Sequence, residues 1–214
     1  WFGVMFKKKF YFIVFEGIEG TGKSYQIDKL YKNLKKKKYP AIKTREPGGS
    51  KTAEIIRNLI FNKNSNNFDD KTDFYLMLAA RNEHYINKIL PAIKNKNIVI
   101  CDRFTDSTLI YQVFGKKINK TVNLINQKFI LKRFKPNLTI ILKSDLKKIT
   151  KRIKARKNNN KFDKLKLSFL KKAQNSYVSL FKKNRKNYLI FDSSLDNNQL
   201  EKKILLSVIK KIGY

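Results

Sequence analysis

The stretch Phe10-Tyr-Phe-Ile-Val-Phe-Glu16 runs directly into Gly17-Ile18-Glu19-Gly20-Thr21-Gly22-Lys23-Ser24, and its reading decides the rest of the chain. The first half is a short apolar run rich in β-branched and aromatic residues, the mark of a buried strand. The second half is Gly-x-x-x-x-Gly-Lys-Ser, a loop that turns tightly and aims successive backbone N–H groups at phosphate oxygens. Lys23 adds a point charge near the β and γ phosphates, and the Ser24 hydroxyl suits a Mg2+ ion. The amphipathic residues 23–35 predict a helix whose positive end faces the same anion. Strand, loop and helix in this order predict an NTP site rather than a structural Gly-rich turn.

The length of 214 residues suits a single domain over 10–214, preceded by a short extension at 1–9. Met5 reads as a plausible natural start. No apolar run approaches the roughly 20 residues that span a bilayer. The opening Trp1-Phe-Gly-Val-Met-Phe6 lacks a signal-peptide layout, because the lysine cluster follows the apolar part. Cys101 is the only cysteine, so no intrachain disulfide forms and a cytoplasmic setting is expected.

The formal net charge of +33 has two readings, a nucleic-acid or acidic-membrane binder and a compositional drift. Drift is favoured, with no specific nucleic-acid or membrane partner. Of 49 basic residues only eight are Arg, beside abundant Asn, Ile, Phe and Tyr, the set that an AT-rich coding sequence produces. The lysines are spread along the chain, and no zinc-finger spacing or RNA-binding aromatic motif accompanies them. Against that background a retained Arg marks a need for the planar guanidinium fork. The eight are Arg45, Arg57, Arg81, Arg103, Arg133, Arg152, Arg156 and Arg185. Glycine is equally scarce, and five of the eight lie in two loops, at Gly17, Gly20, Gly22, Gly48 and Gly49.

Downstream, Tyr39-Pro-Ala-Ile-Lys-Thr44 reads as a second strand ending in the turn Arg45-Glu46-Pro47-Gly48-Gly49, which places Arg45 where open α/β sheets bind ligands. Residues 51–61 predict a helix with Ile55, Leu59 and Ile60 on one face. A long helix is expected over 70–95, with Met77 and Arg81 among its apolar positions and His84 as a hydrogen-bonded structural residue. Asn97-Ile-Val-Ile-Cys-Asp102 is another strand. Its terminal Asp102 is placed to bind Mg2+, and Arg103 to clamp a phosphoryl group. Ser107, Thr108, Tyr111 and Gln112 follow at i and i+4, the spacing of a helix face lining a pocket. Strands are also expected over 136–142 and 188–192, and helices over 147–156, 163–184 and 197–212. Alternation of this kind predicts an α/β fold, an open parallel sheet of about five strands flanked by helices. Arg152 and Arg156, four apart on one face before the polar break at 157–160, read either as a solvated charged face or as a small lid at about 152–163 that carries cations onto ATP.

Taken together these stretches resemble the thymidylate kinase family, nucleoside-monophosphate kinases of the P-loop NTP hydrolase type. The resemblance rests on Phe15-Glu-Gly-Ile-Glu-Gly-Thr-Gly-Lys-Ser24, Thr44-Arg-Glu-Pro-Gly-Gly49, Ala79-Ala-Arg-Asn-Glu-His84, Asp102-Arg103 and Ser107-Thr-Leu-Ile-Tyr-Gln112. It implies ATP-dependent phosphorylation of dTMP to dTDP with Mg2+, by a homodimer. The 17–24 loop with Arg152 would bind ATP, and Ser24 and Asp102 the metal. Lys23, Arg103, Glu19 and Arg156 would be catalytic, with Arg156 as the lid cation. The resemblance also implies that Glu19 meets the 3′-hydroxyl and that Arg45 and Arg103 hold the dTMP phosphate. Arg81 and Gln112 would read thymine, and Ser107, Thr108 and Tyr111 would shape the pocket. Two positions depart from the family pattern. Met77 stands where a Phe usually stacks on thymine, and Asn160-Lys-Phe-Asp163 replaces the usual Asp-Arg-Phe/Ile-Glu of the lid. Another deoxynucleotide or nucleoside kinase of the same fold is the nearest alternative, and a basic NTPase that binds nucleic acid is the alternative from another class.

Overall fold

A computed structural model describes residues 11–61, 68–132, 134–155, 165–194 and 197–213. The strands are β1 (Tyr11–Glu16), β2 (Ala41–Arg45), β3 (Ile98–Asp102), β4 (Leu138–Lys143) and β5 (Tyr188–Asp192). The helices are α1 (Lys23–Lys36), α2 (Lys51–Phe61), α3 (Asp70–His84), α4 (Leu90–Lys94), α5 (Thr105–Thr108), α6 (Lys120–Leu131), α7 (Leu146–Lys154), α8 (Leu167–Lys183) and α9 (Asn197–Ile212). The strands form one parallel sheet in the order β2-β3-β1-β4-β5, so the sheet class expected from the alternation is what the chain adopts.

Alternate strand residues enter opposite layers, as the two-residue period of a strand requires. Ile13, Phe15, Ile98, Ile100, Leu138, Ile140 and Leu142 pack on Ile27, Leu30 and Leu34 of α1 and on Leu200, Ile204 and Val208 of α9. On the other side Phe12, Val14, Val99 and Cys101 meet Ile89, Ala92, Phe104 and Leu131, while Ile141 meets α7 and α8 through Ile149, Ile153, Leu170, Ala173 and Tyr177. Both sheet faces are covered, which is why β1, β3 and β4 read as continuous apolar runs.

Side chains satisfy orphan N–H groups at several helix starts, among them Asp69 before α3, Asn119 before α6 and Asp145 before α7. The helix expected over 70–95 is continuous but not uniformly α. A π-helical turn (Tyr85–Ile89) separates α3 from α4, and a second one (Leu109–Phe114) follows α5. The helix expected over 147–156 ends at Lys154. Arg156 and the rest of the expected lid from 156 to 163 lie outside the described residues, while 152–155 lie within them. Two readings need correction. Ile55 and Leu59 of α2 are 65% and 44% exposed, and of the three apolar residues expected on one face only Ile60 is buried. The sequence reading also passed over α6 altogether.

Candidate active site

Strand register brings the candidate residues to one edge of the sheet. Phe15 pairs with Asp102, and Asp102 pairs with Arg45, so the carboxyl ends of β1, β3 and β2 stand side by side. The loop after β1 wraps the start of α1. Gly17 lies at φ 139°, and a Cβ there would come within 2.4 Å of the Leu142 carbonyl oxygen, so only glycine fits. Lys23 is buried, and its Nζ donates to the carbonyls of Gly17 (2.9 Å) and Ile18 (3.0 Å). Burial, then Arg103, lowers its pKa to about 8 against the pull of Asp102, Glu19 and Glu16.

A cleft of about 430 Å³ opens over this edge. Glu19, Gly20, Gly22, Lys23, Ser24, Arg45, Met77, Arg81, Asp102, Arg103, Ser107, Thr108, Tyr111 and Gln112 all line it, so most of the expected site residues meet in one place. Ser24 Oγ donates to Asp102 Oδ2 at 3.0 Å, while Asp102 Oδ1 is buried without a protein partner among the described residues. Arg152 reaches the rim of the loop instead, donating to the Gly20 and Ser193 carbonyls, each at 3.3 Å.

Three arginines at the cleft, Arg103, Arg45 and Arg81, are each hydrogen-bonded to a carboxylate. Arg103 Nη2 donates to Glu19 Oε1 at 2.6 Å, and Glu19 Oε2 accepts from Tyr111 at 2.6 Å. Arg103 has φ 69°, a left-handed conformation that costs a non-glycine residue free energy, and its N–H donates to the Phe15 carbonyl. Arg45 makes a two-pronged pair with Glu54 (2.9 and 3.3 Å), and Glu54 also accepts from the Gly49 N–H. Arg81 is buried. Its Nε donates to Glu46 at 2.7 Å and its Nη2 to Thr108 at 2.9 Å, over the face of Phe104. Its remaining nitrogen, Nη1, is buried with no protein partner among the described residues. Burial alone would raise the Glu46 carboxyl, but Arg81 and His84 hold it below its usual range. His84 bridges Glu46 (3.1 Å) and Thr44 (2.6 Å), the structural role expected of it.

Several residues of this constellation escaped the sequence reading, among them Glu46 and Glu54, which hold Arg81 and Arg45. Arg57 lines the cleft, donates to the Pro47 carbonyl at 2.6 Å, and has its pKa lowered by burial and by Arg45. The scarcity of arginine already marked it. Phe104 lines the cleft under Arg81. Glu16 and Tyr177 lie behind Arg103, and nothing local to either position signals this. Ser107, expected to shape the pocket, also bonds backward, donating to Glu16 at 2.6 Å and accepting from Arg103 at 3.0 Å.

Phosphate loop, paired Ser24 and Asp102, and a cleft-lining arginine with a buried nitrogen unanswered among the described residues describe a nucleotide site next to an acceptor site. A family model for thymidylate kinase matches residues 15–204. A thymidylate kinase of Aster yellows witches'-broom phytoplasma is 39% identical over 186 residues, covering 86% of this chain and 89% of that one. One from Geobacillus sp. (strain WCH70) is 36% identical over 203 residues, covering 94% and 97%. The solved thymidylate kinase of Ehrlichia chaffeensis superposes with a TM-score of 0.75 at 28% identity, covering 94% of this chain and 99% of that one. The matched span contains the phosphate loop, the Arg45–Gly49 turn and the Asp102–Arg103 strand end together, and on that evidence the chain belongs to the thymidylate kinase family.

Proposed function

We propose that this phosphotransferase moves the γ-phosphoryl group of ATP onto dTMP, giving dTDP and ADP, in the supply of dTTP. The observation that carries the choice of acceptor is Arg81, which lines the cleft with Gln112, Met77 and Phe104 and whose buried Nη1 has no protein partner among the described residues. A fixed, desolvated donor of this kind selects a base with a matching acceptor, because a base lacking it leaves the nitrogen unsatisfied. Arg81 and Gln112 read the thymine edge, Met77 packs on its face, and Thr108 and Tyr111 bound the sugar and base.

Phosphoryl transfer asks for placement and charge neutralisation more than for covalent chemistry. Gly17, Ile18, Glu19, Gly20, Thr21, Gly22, Lys23 and Ser24 cradle the ATP phosphates, and Arg152 flanks the nucleotide. Arg103, with Arg45 and Arg57, receives the dTMP phosphate. Arg103 then exchanges its bond to Glu19 for the phosphate, which leaves Glu19 to accept the 3′-hydroxyl. Ser24 and Asp102 fit Mg2+, since both offer hard oxygen donors and one Asp102 oxygen has no partner among the described residues. The ion, when bound, neutralises charge on the transferred group. Arg156 is the lid cation in this reading, and Arg156→Ala lowers kcat by about 100-fold or more while dTMP affinity barely moves. Single-turnover kinetics with an equilibrium dTMP titration checks this.

The same reading includes a homodimer in the cytoplasm and one functional domain over 10–214. Exposed apolar side chains on α2, α3 and α6, helices that pack in that order, support the dimer. No helix among the described residues is long and apolar enough to cross a membrane. The deciding experiment follows ADP release from ATP and Mg2+ with dTMP, dUMP, dCMP, dGMP and dAMP in turn. Turnover confined to dTMP, with dUMP a poor second, is expected. Turnover of another nucleotide would move the substrate and point to Met77 as its determinant. ATPase driven by added DNA or RNA would overturn the kinase reading.

A further inference from the structure

Glu16 ends β1 fully buried and does not line the cleft. Its two oxygens accept four hydrogen bonds. Oε1 takes the backbone N–H of Phe104 (2.9 Å) and of Ser107 (3.2 Å), and Oε2 takes the hydroxyls of Ser107 (2.6 Å) and Tyr177 (3.0 Å). Arg103 Nη1 reaches the same two hydroxyl oxygens from the other side, at 3.0 and 3.4 Å. A hydroxyl has one proton and two lone pairs. With both protons on Glu16, both oxygens present only lone pairs to the guanidinium. The 2.9 Å approach between the two hydroxyls is then a contact of neighbours.

We propose that Glu16 is a positioning residue for Arg103: by holding the protons of Ser107 and Tyr177 it makes both hydroxyls acceptors and so aims the guanidinium at the dTMP phosphate. The inference rests on the reading of Arg103 as the ligand of that phosphate. The two backbone bonds add a second hold, because they anchor the turn that immediately follows left-handed Arg103. A carboxylate is the group the task needs. Acceptor on every side, it cannot compete with Arg103 for a lone pair. A glutamine of the same shape keeps its carbonyl on the backbone N–H groups and turns its NH2 toward the hydroxyls. Their protons are then free to swing toward Arg103.

The test compares full-length wild type with Glu16→Gln, Tyr177→Phe, the Glu16→Gln/Tyr177→Phe pair and Arg103→Ala, measuring kcat and KM for dTMP and for ATP. Glu16→Gln is expected to lower kcat/KM for dTMP by about 10- to 100-fold with KM for ATP within about twofold. The pair is expected to lose no more than Glu16→Gln alone, since both changes act through one contact. Equal losses for both substrates, no loss, or losses that multiply in the pair would overturn the proposal. Should Glu16→Gln lose its near-UV dichroism, Ser107→Ala/Tyr177→Phe removes the same two acceptors from the other side. It must then show the dTMP-selective loss, and normal dTMP kinetics would overturn the proposal. Arg103→Ala separates the two ideas: unchanged dTMP kinetics there sinks the phosphate assignment rather than the role of Glu16.

Discussion

Near neutral pH Glu16 is balanced between two charge states. Burial, then Asp106, raises its carboxyl to about 7, against Arg103, the Ser107 hydroxyl and the Phe104 N–H, which favour the charged form. Lys23, Cys101, Tyr177 and Tyr188 also lie within reach of its charge. Activity and stability should therefore respond to pH with opposite signs. The charged form orders Arg103, so kcat/KM for dTMP falls as pH drops below about 7, and that component disappears in Glu16→Gln. The substrate phosphate titrates near 6 but does so equally for both enzymes. A carboxyl raised in the folded state binds protons more readily than in the unfolded chain. Its stabilisation is full below the unfolded value of 4.5 and is lost as pH rises through about 7. Thermal melts should show Glu16→Gln gaining on wild type between pH 5 and pH 8. A second site is purely steric. Gly49 has φ 93°, and a Cβ there would meet Thr44 Oγ1 at 2.4 Å and His84 Nε2 at 2.5 Å. Gly49→Ala should cost about 3 kcal/mol in denaturant unfolding, from backbone strain plus a displaced Thr44–His84 bond. At this scale the sequence pointed well to the cations, because arginine is rare in this chain. It did not point to their partners: that Glu46 serves Arg81, or that Tyr177 backs Arg103, depends on contacts across 35 and 74 residues.

Elements were readable where burial imposed a period. Strands β1, β3 and β4 are mostly apolar up to their last residues, Glu16, Asp102 and Lys143, because both faces are covered, and α9 shows an inward stripe at Leu200, Ile204 and Val208. Helix α6 has no such stripe. Only Asn123 and Leu131 are buried, while Leu124, Ile125 and Phe129 are 55%, 62% and 84% exposed. A search for a core-facing pattern cannot find a helix whose apolar residues look outward. The same reason misplaced Ile55 and Leu59 on α2. Both misses fall on the face assigned above to a second subunit. Phe129→Glu should convert a dimer to a monomer in sedimentation equilibrium without lowering the thermal midpoint of the monomer. A mass unchanged by the substitution would remove α6 from the interface. The π turns were equally invisible, since one extra residue per turn leaves no mark in composition. The turn over Leu109–Phe114 nevertheless keeps Tyr111 and Gln112 at the cleft.

Across the whole molecule a formal charge of +33 works against compaction. Screening that repulsion should raise the melting temperature by several degrees between about 20 and 200 mM NaCl, over which the Debye length shrinks severalfold. A midpoint indifferent to salt would mean that the lysines are already spaced widely enough to ignore one another. The cleft is a different environment from this surface. Only six glutamates occur in the chain, and Glu16, Glu19, Glu46 and Glu54 each bond a cleft arginine or the groups that hold one. Glutamate and lysine codons differ by a single base. A single base change at any of these four codons would therefore set a cation against a cation. Lysine is abundant along the rest of the chain; the arginine–glutamate pairs around the cleft mark places where it could not replace glutamate.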